Sequence, residues 1–370
     1  MPITLDDLRR FAVARTLFTA TTLTGALDRL GFVQADPIRA PARAQDLVLR
    51  HRVGGYRAGD LERGYEEAGL EEDVLVNYGF VPPAVQALMQ PRGLVLRWSG
   101  ARTKRAAALL DFVRERGSAH PREVDEHFAH GSVVNYWGGS SNATTHLLEA
   151  MHYCGLLRVV RREAGIRIYA AHEYPPLPRD ASGRRARIDA LVDVAVGTYA
   201  PLPAASLSAL VGRLRYAVPQ WRSELRGALQ RARERLAHAQ VDGIDWYWPA
   251  AERIEAEPPS ETVRLLAPFD PIVWDRGRFE MFWGWPYRFE AYTPPAKRKF
   301  GYYALPLLWR DRVIGWGNLA VKSGALQASL HFVEGRAPEG GSFGLETEAE
   351  LERMRRFLML EPPAGDGRAA

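Results

Sequence analysis

Gln34 and Asp36 stand two residues apart in the run Gly31-Phe32-Val33-Gln34-Ala35-Asp36-Pro37-Ile38. Pro37 disfavours the α region for Asp36 and pushes it toward extended backbone. In extended backbone residues i and i+2 point the same way, which would set an amide and a carboxylate on one face. Such a pair can hold and polarise one water. Asp-Pro is also a common turn and helix-stop signal, and on spacing alone that plainer reading is the stronger.

Other chemistries find less support. The sequence has no CxxC, HExxH, GxxxxGK[ST] or GxGxxG, so neither a zinc site nor a glycine-rich phosphate cradle is indicated. His127 and His130, with His120 upstream, are spaced to share a helix face. A solvated face is the plainer reading, and no metal or other cofactor is expected. No serine or cysteine nucleophile with a paired base is recognisable. Cys154 is the only cysteine, which excludes an internal disulfide and fits a reducing cytoplasm.

The elements that must position these residues can be read in part. Thr4 is placed to cap a first helix carrying Leu8, Phe11 and Ala12, with Asp6 and Asp7 in its first turn. A second helix over 22–30 stops at Gly31. Prolines 37 and 41 keep the start of segment 31–53 irregular. A second unit starts at Ser118-Ala119-His120-Pro121, continues with a helix over 142–153 ended by Gly155, and closes with strands over 156–161 and 166–169. Helix, helix and basic hairpin is the order of a winged helix. A third unit repeats it: helices over 205–214 and 223–238, with seven arginines between 213 and 235, then a hairpin turning at Asp242-Gly243. Repetition of one order argues for tandem modules. After Glu261 the pattern turns to β, with strand-like runs 265–271, 302–308, 312–315 and 326–333. An amphipathic helix over 346–358 follows, and the tail 362–370 is expected to fray.

Composition sets the outer bounds. At roughly 100–200 residues per domain, 370 residues allow two or three domains or a set of smaller modules. With 46% apolar and 25% charged residues the chain is an ordinary folded protein. Its apolar runs are too short for a transmembrane helix, and its first residues have no basic and apolar leader pattern. The net charge is +5, and all but four of the 49 basic residues are arginines, whose planar fork reads phosphates bidentately. Arg39, Arg43, Arg50 and Arg52 cluster after the Gln/Asp pair. Lys297-Arg298-Lys299 adjoins Phe300, Tyr302 and Tyr303, a mixture of charge and aromatic rings that suits a nucleic-acid surface. At least one of Tyr302 and Tyr303 is expected in the core, and Trp274, Trp283 and Trp285 are expected to serve packing.

Taken together, four segments resemble a known family: 31–38 followed by 43–50; Tyr78-Gly79-Phe80-Val81-Pro82; Leu266-Ala267-Pro268-Phe269-Asp270-Pro271 through Arg276; and Tyr292-Thr293-Pro294-Pro295 through Tyr303. They are similar, in order and over nearly the whole chain, to the YcaQ/AlkZ family of bacterial DNA glycosylases. The Gln-x-Asp form resembles its YcaQ branch. Asn77 and Asn318 stand where relatives often carry an acid. The resemblance implies tandem winged helices plus a C-terminal barrel-like part. It also implies removal of N7-alkylated purines, unhooking of interstrand crosslinks, and Gln34 and Asp36 as the catalytic pair.

The resulting expectation is an α+β chain of tandem winged-helix (helix-turn-helix) units with a β-rich, barrel-like C-terminal region. Its segments are 1–100, 101–178, 179–258 and 259–370. It is expected to be a monofunctional DNA glycosylase, a cytoplasmic, nucleoid-associated bacterial monomer acting on double-stranded DNA with alkylated purines and using no membrane. Arg39, Arg43, Arg50, Arg52, Lys297, Arg298 and Lys299 are its expected phosphate contacts. A winged-helix regulator without enzymatic activity is the competing reading, since the units alone do not dictate function.

Overall fold

The computed structural model describes residues 2–92, 98–134, 140–178, 180–255 and 258–360; the tail 362–370 lies outside them. Contacts group the chain into two compact units, the first Met1–Asp60, Val196–Ser208 and Arg235–Ala370, the second Leu61–Ala195 and Ala209–Glu234. Among the described residues no helix is long and apolar enough to cross a membrane.

The first unit opens on helix Leu5–Thr16, where Thr4 and Asp7 cap each other reciprocally. Leu8, Phe11 and Ala12 are buried, as their helical spacing requires, and the helix packs on helices Pro271–Trp274 and Arg276–Trp283. Helix Leu23–Leu30 is capped by Thr22 and ends at Gly31, which is left-handed at φ 68°. Strand Val33–Gln34 and the wholly buried helix Ala44–Leu49 follow. Arg52, fully buried, then fastens this segment to the C-terminal part of the unit. Its guanidinium donates to both oxygens of Asp270 at 2.8 and 2.9 Å, to Thr16 O at 2.9 Å and to Val48 O at 2.6 Å.

Residues 265–271 depart from the expected strand. Only Arg264–Leu265 pairs, because Asp270 accepts from Ile272 N and starts helix Pro271–Trp274. Pro271 suits that first helical position, having no N–H to leave unpaired. The expected barrel-like region is likewise corrected. The sheet is open and antiparallel, in the order Arg264–Leu265, Leu305–Trp309, Arg312–Lys322, Ala325–Phe332. Its closing edge is taken by a side chain: Glu350, on helix Gly341–Phe357, accepts from Leu265 N at 2.8 Å.

In the second unit, helices Gly100–Arg116, Pro121–Phe128 and Ala143–Cys154 precede the hairpin Leu157–Glu163/Ile166–Ala171. Ala119 bridges to Tyr169 of that hairpin, and Ala164 and Gly165 turn it with positive φ. The earlier hairpin Glu71–Val74/Tyr78–Val81 buries three consecutive acids, Glu71, Glu72 and Asp73. They are paid in kind by arginines: Arg162 reaches both Glu72 oxygens at 2.6 Å, Arg92 reaches Asp73 at 2.7 Å, and Arg158 pairs with Glu71. Buried charges persist only when paired in this way.

The helix–helix–hairpin order recurs as Ala181–Tyr199, Ala204–Arg213, Leu225–Arg235 and Ala237–Val241/Ile244–Trp248. Asp242 and Gly243 turn the hairpin at φ 51° and 76°, as the sequence indicates. The helix read over 223–238 is shorter than expected, because Pro219–Glu224 forms a 3-10 turn and the chain is already extended at Ala237.

Candidate active site

Gln34 ends a two-residue strand and is only 6% exposed. Trp274 Nε1 donates to Gln34 Oε1 at 3.0 Å. An indole N–H is a donor only, so it settles which end of the amide faces it. The Gln34 oxygen is thus the end held by Trp274, and the NH2 is the end turned from the indole. Trp274 is itself fixed by the Tyr199 ring, 4.6 Å away and tilted 32°.

Asp36 is 8% exposed. Its Oδ1 accepts from Ile38 N at 2.9 Å, the local turn that Asp-Pro favours. Its backbone N–H donates at 3.2 Å to Oε1 of Gln45, on helix Ala44–Leu49. The turn reading and the chemical reading are therefore compatible: the turn uses one carboxylate oxygen and backbone bonds fix the residue. Burial pushes the Asp36 carboxyl above its ordinary range, while the Ile38 N–H opposes the shift.

Segment 292–303 carries aromatic and basic groups. The charge of Asp36 acts on the hydroxyls of both Tyr292 and Tyr303. Tyr292 is 81% exposed, Tyr302 45% and Tyr303 3%, so Tyr303 supplies the expected core residue of that pair. The loop owes its shape to Glu290, whose carboxylate accepts from the backbone N–H groups of Lys299, Phe300 and Gly301. Gly301 sits at φ 117°, and a Cβ there would collide with the Asn318 side chain. Asn318 Nδ2 in turn donates to Phe300 O at 2.9 Å, so the amide at this departure from the family pattern buttresses the loop. Asn77, the other departure, caps a turn of the second unit by accepting from Tyr78 N at 2.9 Å.

The expected phosphate contacts separate into two groups. Arg39, Lys297 and Lys299 are exposed, and Arg43 and Arg298 are half-buried. Arg298 donates to Thr293 O at 2.8 Å and lies 5.1 Å over the Tyr302 ring. Arg50 and Arg52 do not fit the expectation. Arg52 is consumed by the Asp270 pair, and the Arg50 guanidinium bonds Glu350 and Leu265 O. Charge clustering in sequence did not separate arginines that face solvent from those that replace a hydrophobic core contact.

The histidines do not assemble. Helix Pro121–Phe128 ends before His130, and Ala129 is left-handed at φ 46°, so His127 and His130 share no helix face. His120 caps that helix by accepting from Arg122 N at 2.9 Å. No group of three or more metal-ligating side chains occurs among the described residues. Trp283 and Trp285 serve structure, donating to Asp311 O and Val313 O at 3.0 and 2.9 Å. Sequence reasoning missed Gln45, Tyr292 and the bond from Trp274 to Gln34, although each lies within a segment that carried the family resemblance.

The model of the family described as DNA glycosylase AlkZ-like matches residues 27–357. In fold the chain is similar to the solved structure of Streptomyces sahachiroi DNA glycosylase AlkZ, with a TM-score of 0.62 and 14% identity, over 97% of this chain and 98% of that chain.

Proposed function

Because the chain belongs to the AlkZ-like family of DNA glycosylases, we propose that it hydrolyses the N-glycosidic bond of N7-alkylated purines in duplex DNA, with Asp36 and Gln34 as the catalytic pair. The observation that carries this reading is a buried carboxylate two residues along the chain from a buried amide whose oxygen is held by Trp274. Alkylation at N7 makes guanine cationic, so the bond to the sugar is already weakened and the base needs little help to leave. What the enzyme must supply is negative charge for the developing sugar cation and a placed water. Asp36 supplies the charge and takes the proton from the water. The Gln34 amide N–H orients the water or the sugar. The C1′–N9 bond breaks with its electron pair going to the base, and the water oxygen bonds C1′.

The repeated helix–helix–hairpin units act in this reading as tandem winged helices along the duplex. Arg39, Lys297 and Lys299, all exposed, grip phosphates without reading sequence. A lyase would need an amine nucleophile, whereas the pair here is an amide and an acid, which favours simple hydrolysis. Interstrand crosslinks joined through purine N7 would open by the same step.

The test is incubation of the purified chain with a duplex containing one N7-methylguanine. The expected products are free base and a strand that stays intact until treated with alkali, with no protein–DNA adduct trapped by borohydride. No base release, together with a sharp footprint on undamaged DNA, would transfer the chain to the regulator reading.

A further inference from the structure

A cavity of about 440 Å³ in the first unit is lined by Arg10, Arg15, Arg29, Arg253 and Arg264, with Asp311 and Glu255 as the acids in its wall. These charges do not cancel. Asp311 is taken by Arg9, whose Nε and Nη2 donate to it at 3.2 and 2.9 Å. Arg15 is taken by Glu252, at 2.8 and 2.7 Å, and by Gly197 O. Arg10 reaches Asp311 through Nε alone, at 3.4 Å. The Arg29 guanidinium lies 4.2 Å over the Phe18 ring. Arg29, Arg253 and Arg264 have no hydrogen bond or ion pair among the described residues, and the exposed Glu255 bonds none of them. Arg264 is half-buried, on the short strand Arg264–Leu265. Burial holds its guanidinium below its ordinary range; the charge of Glu350 opposes that shift, and those of Arg52, Arg353 and Arg50 add to it. Glu350 is no partner for Arg264, because its oxygens already accept from Arg50, Leu265 N and Arg353. A cation taken out of water without an anion is costly, and the cavity is where an anion can reach this one.

We propose that this cavity is a binding site for a phosphate ester, whose phosphate group is held by Arg264, Arg253 and Arg29. The guanidinium fork matches two phosphate oxygens at once and stays charged at any working pH. The volume lies in the range of roughly 300–1,000 Å³ that holds small ligands, more than a bare phosphate fills. Leu17 and Pro259 in the same wall offer apolar contact to the organic part of the ester. The site is a second one, since neither Gln34, Asp36 nor Trp274 belongs to its wall. A phosphate group of this kind comes on a DNA strand or on a free nucleotide, and both present the same oxygens to the same arginines.

The experiment compares the full-length wild type with Arg264→Gln, Arg253→Gln and a charge-matched control, Lys104→Gln, which is exposed in the other unit. Each protein is titrated calorimetrically with deoxyadenosine monophosphate at constant ionic strength, and its affinity for an undamaged duplex is measured at several salt concentrations. If the site takes a free ester, the monophosphate binds wild type at one site and the control equally well. It binds either cavity variant about tenfold more weakly, the worth of one hydrogen-bonded charge, while duplex binding changes no more than in the control. If the site takes a DNA strand, each cavity variant lowers the slope of log affinity against log salt by about one more than the control does. Slopes that match the control, together with monophosphate binding that is absent from wild type or survives both substitutions, overturn the proposal. Arg253 is exposed and bonded to no described residue, so Arg253→Gln decides by itself should Arg264→Gln fold poorly. Neither measurement involves base release, so this site and the glycosylase reading fail separately.

Discussion

Trp274 and Gln34 are 240 positions apart in sequence and joined by one hydrogen bond, indole N–H to amide oxygen at 3.0 Å. Because the indole can only donate, the bond fixes the amide's orientation as well as its position. Trp274→Phe removes the donor and keeps most of the ring that packs on Tyr199. The amide can then flip, presenting its oxygen to the substrate for part of the time. Base release should slow several-fold, in line with the loss of one hydrogen bond of about 1 kcal/mol, while duplex affinity and melting temperature stay close to wild type. Equal single-turnover rates for the two proteins would show that the orientation of Gln34 does not matter.

Asp36→Asn keeps the shape and the Ile38 contact but removes the charge. Excision should fall by about 10²–10⁴-fold, with duplex binding intact. The direction of the Asp36 shift adds a pH signature. Its folded-state pKa is raised by burial, so wild-type activity is lost, as pH falls, at a point above the ordinary carboxylate range; any residual activity of the variant lacks that limb. The same shift means that the charged form costs folding stability. That cost is absent below the unfolded-state pKa and grows as pH rises through the folded value. Asp36→Asn should therefore melt above wild type at neutral pH, with the gap closing in acid. A variant that is less stable at neutral pH would contradict the burial argument.

Local signals were legible where local physics decides. Thr4, Thr22 and Gly31 bound helices as their side chains or φ angles require, and Asp242-Gly243 turns a hairpin. The long helices Gly100–Arg116 and Ala181–Tyr199 escaped although each buries an apolar stripe, Ala106, Leu109 and Val113 in the first and Ile188, Leu191, Val192, Ala195, Val196 and Tyr199 in the second; both open on turns rich in Arg, Gly and small residues, which hide the start of the helix. Segment 265–271 misled because a run of apolar residues fits a strand or a buried turn before a helix equally well. For the site, the Gln34/Asp36 spacing and the family resemblance pointed to the pair. The bonds from Trp274 to Gln34 and from Asp36 to Gln45 were silent, because a tertiary contact leaves no periodicity in sequence.

Arg52 tests the distinction between arginines of the core and arginines of the surface. With both side chains fully buried, Arg52 and Asp270 share two bonds at 2.8 and 2.9 Å. Arg52→Met leaves Asp270 charged and buried without its partner, which typically costs about 3–5 kcal/mol. Denaturant unfolding should show a loss of that order. Adding Asp270→Asn should restore part of it, since the second change removes the stranded charge while an amide oxygen can still cap Ile272 N. Additive effects of the two substitutions would argue that the pair is not coupled.

Lys297 and Lys299 make the complementary case. Both are exposed, both sit on the loop that Glu290 holds through backbone bonds, and neither side chain is needed for that shape. Lys297→Ala and Lys299→Ala should therefore leave the melting temperature unchanged. If each lysine neutralises one phosphate, each substitution releases one counterion fewer on binding and lowers the slope of log affinity against log salt by about one. The loss should be the same on duplexes of different sequence, because phosphate contacts carry no base information. Excision measured at saturating protein should be little changed, since neither lysine belongs to the Gln34/Asp36 pair. An unchanged salt slope in the double variant would remove this loop from the DNA-binding surface. A sequence-dependent loss would mean instead that the lysines reach base edges.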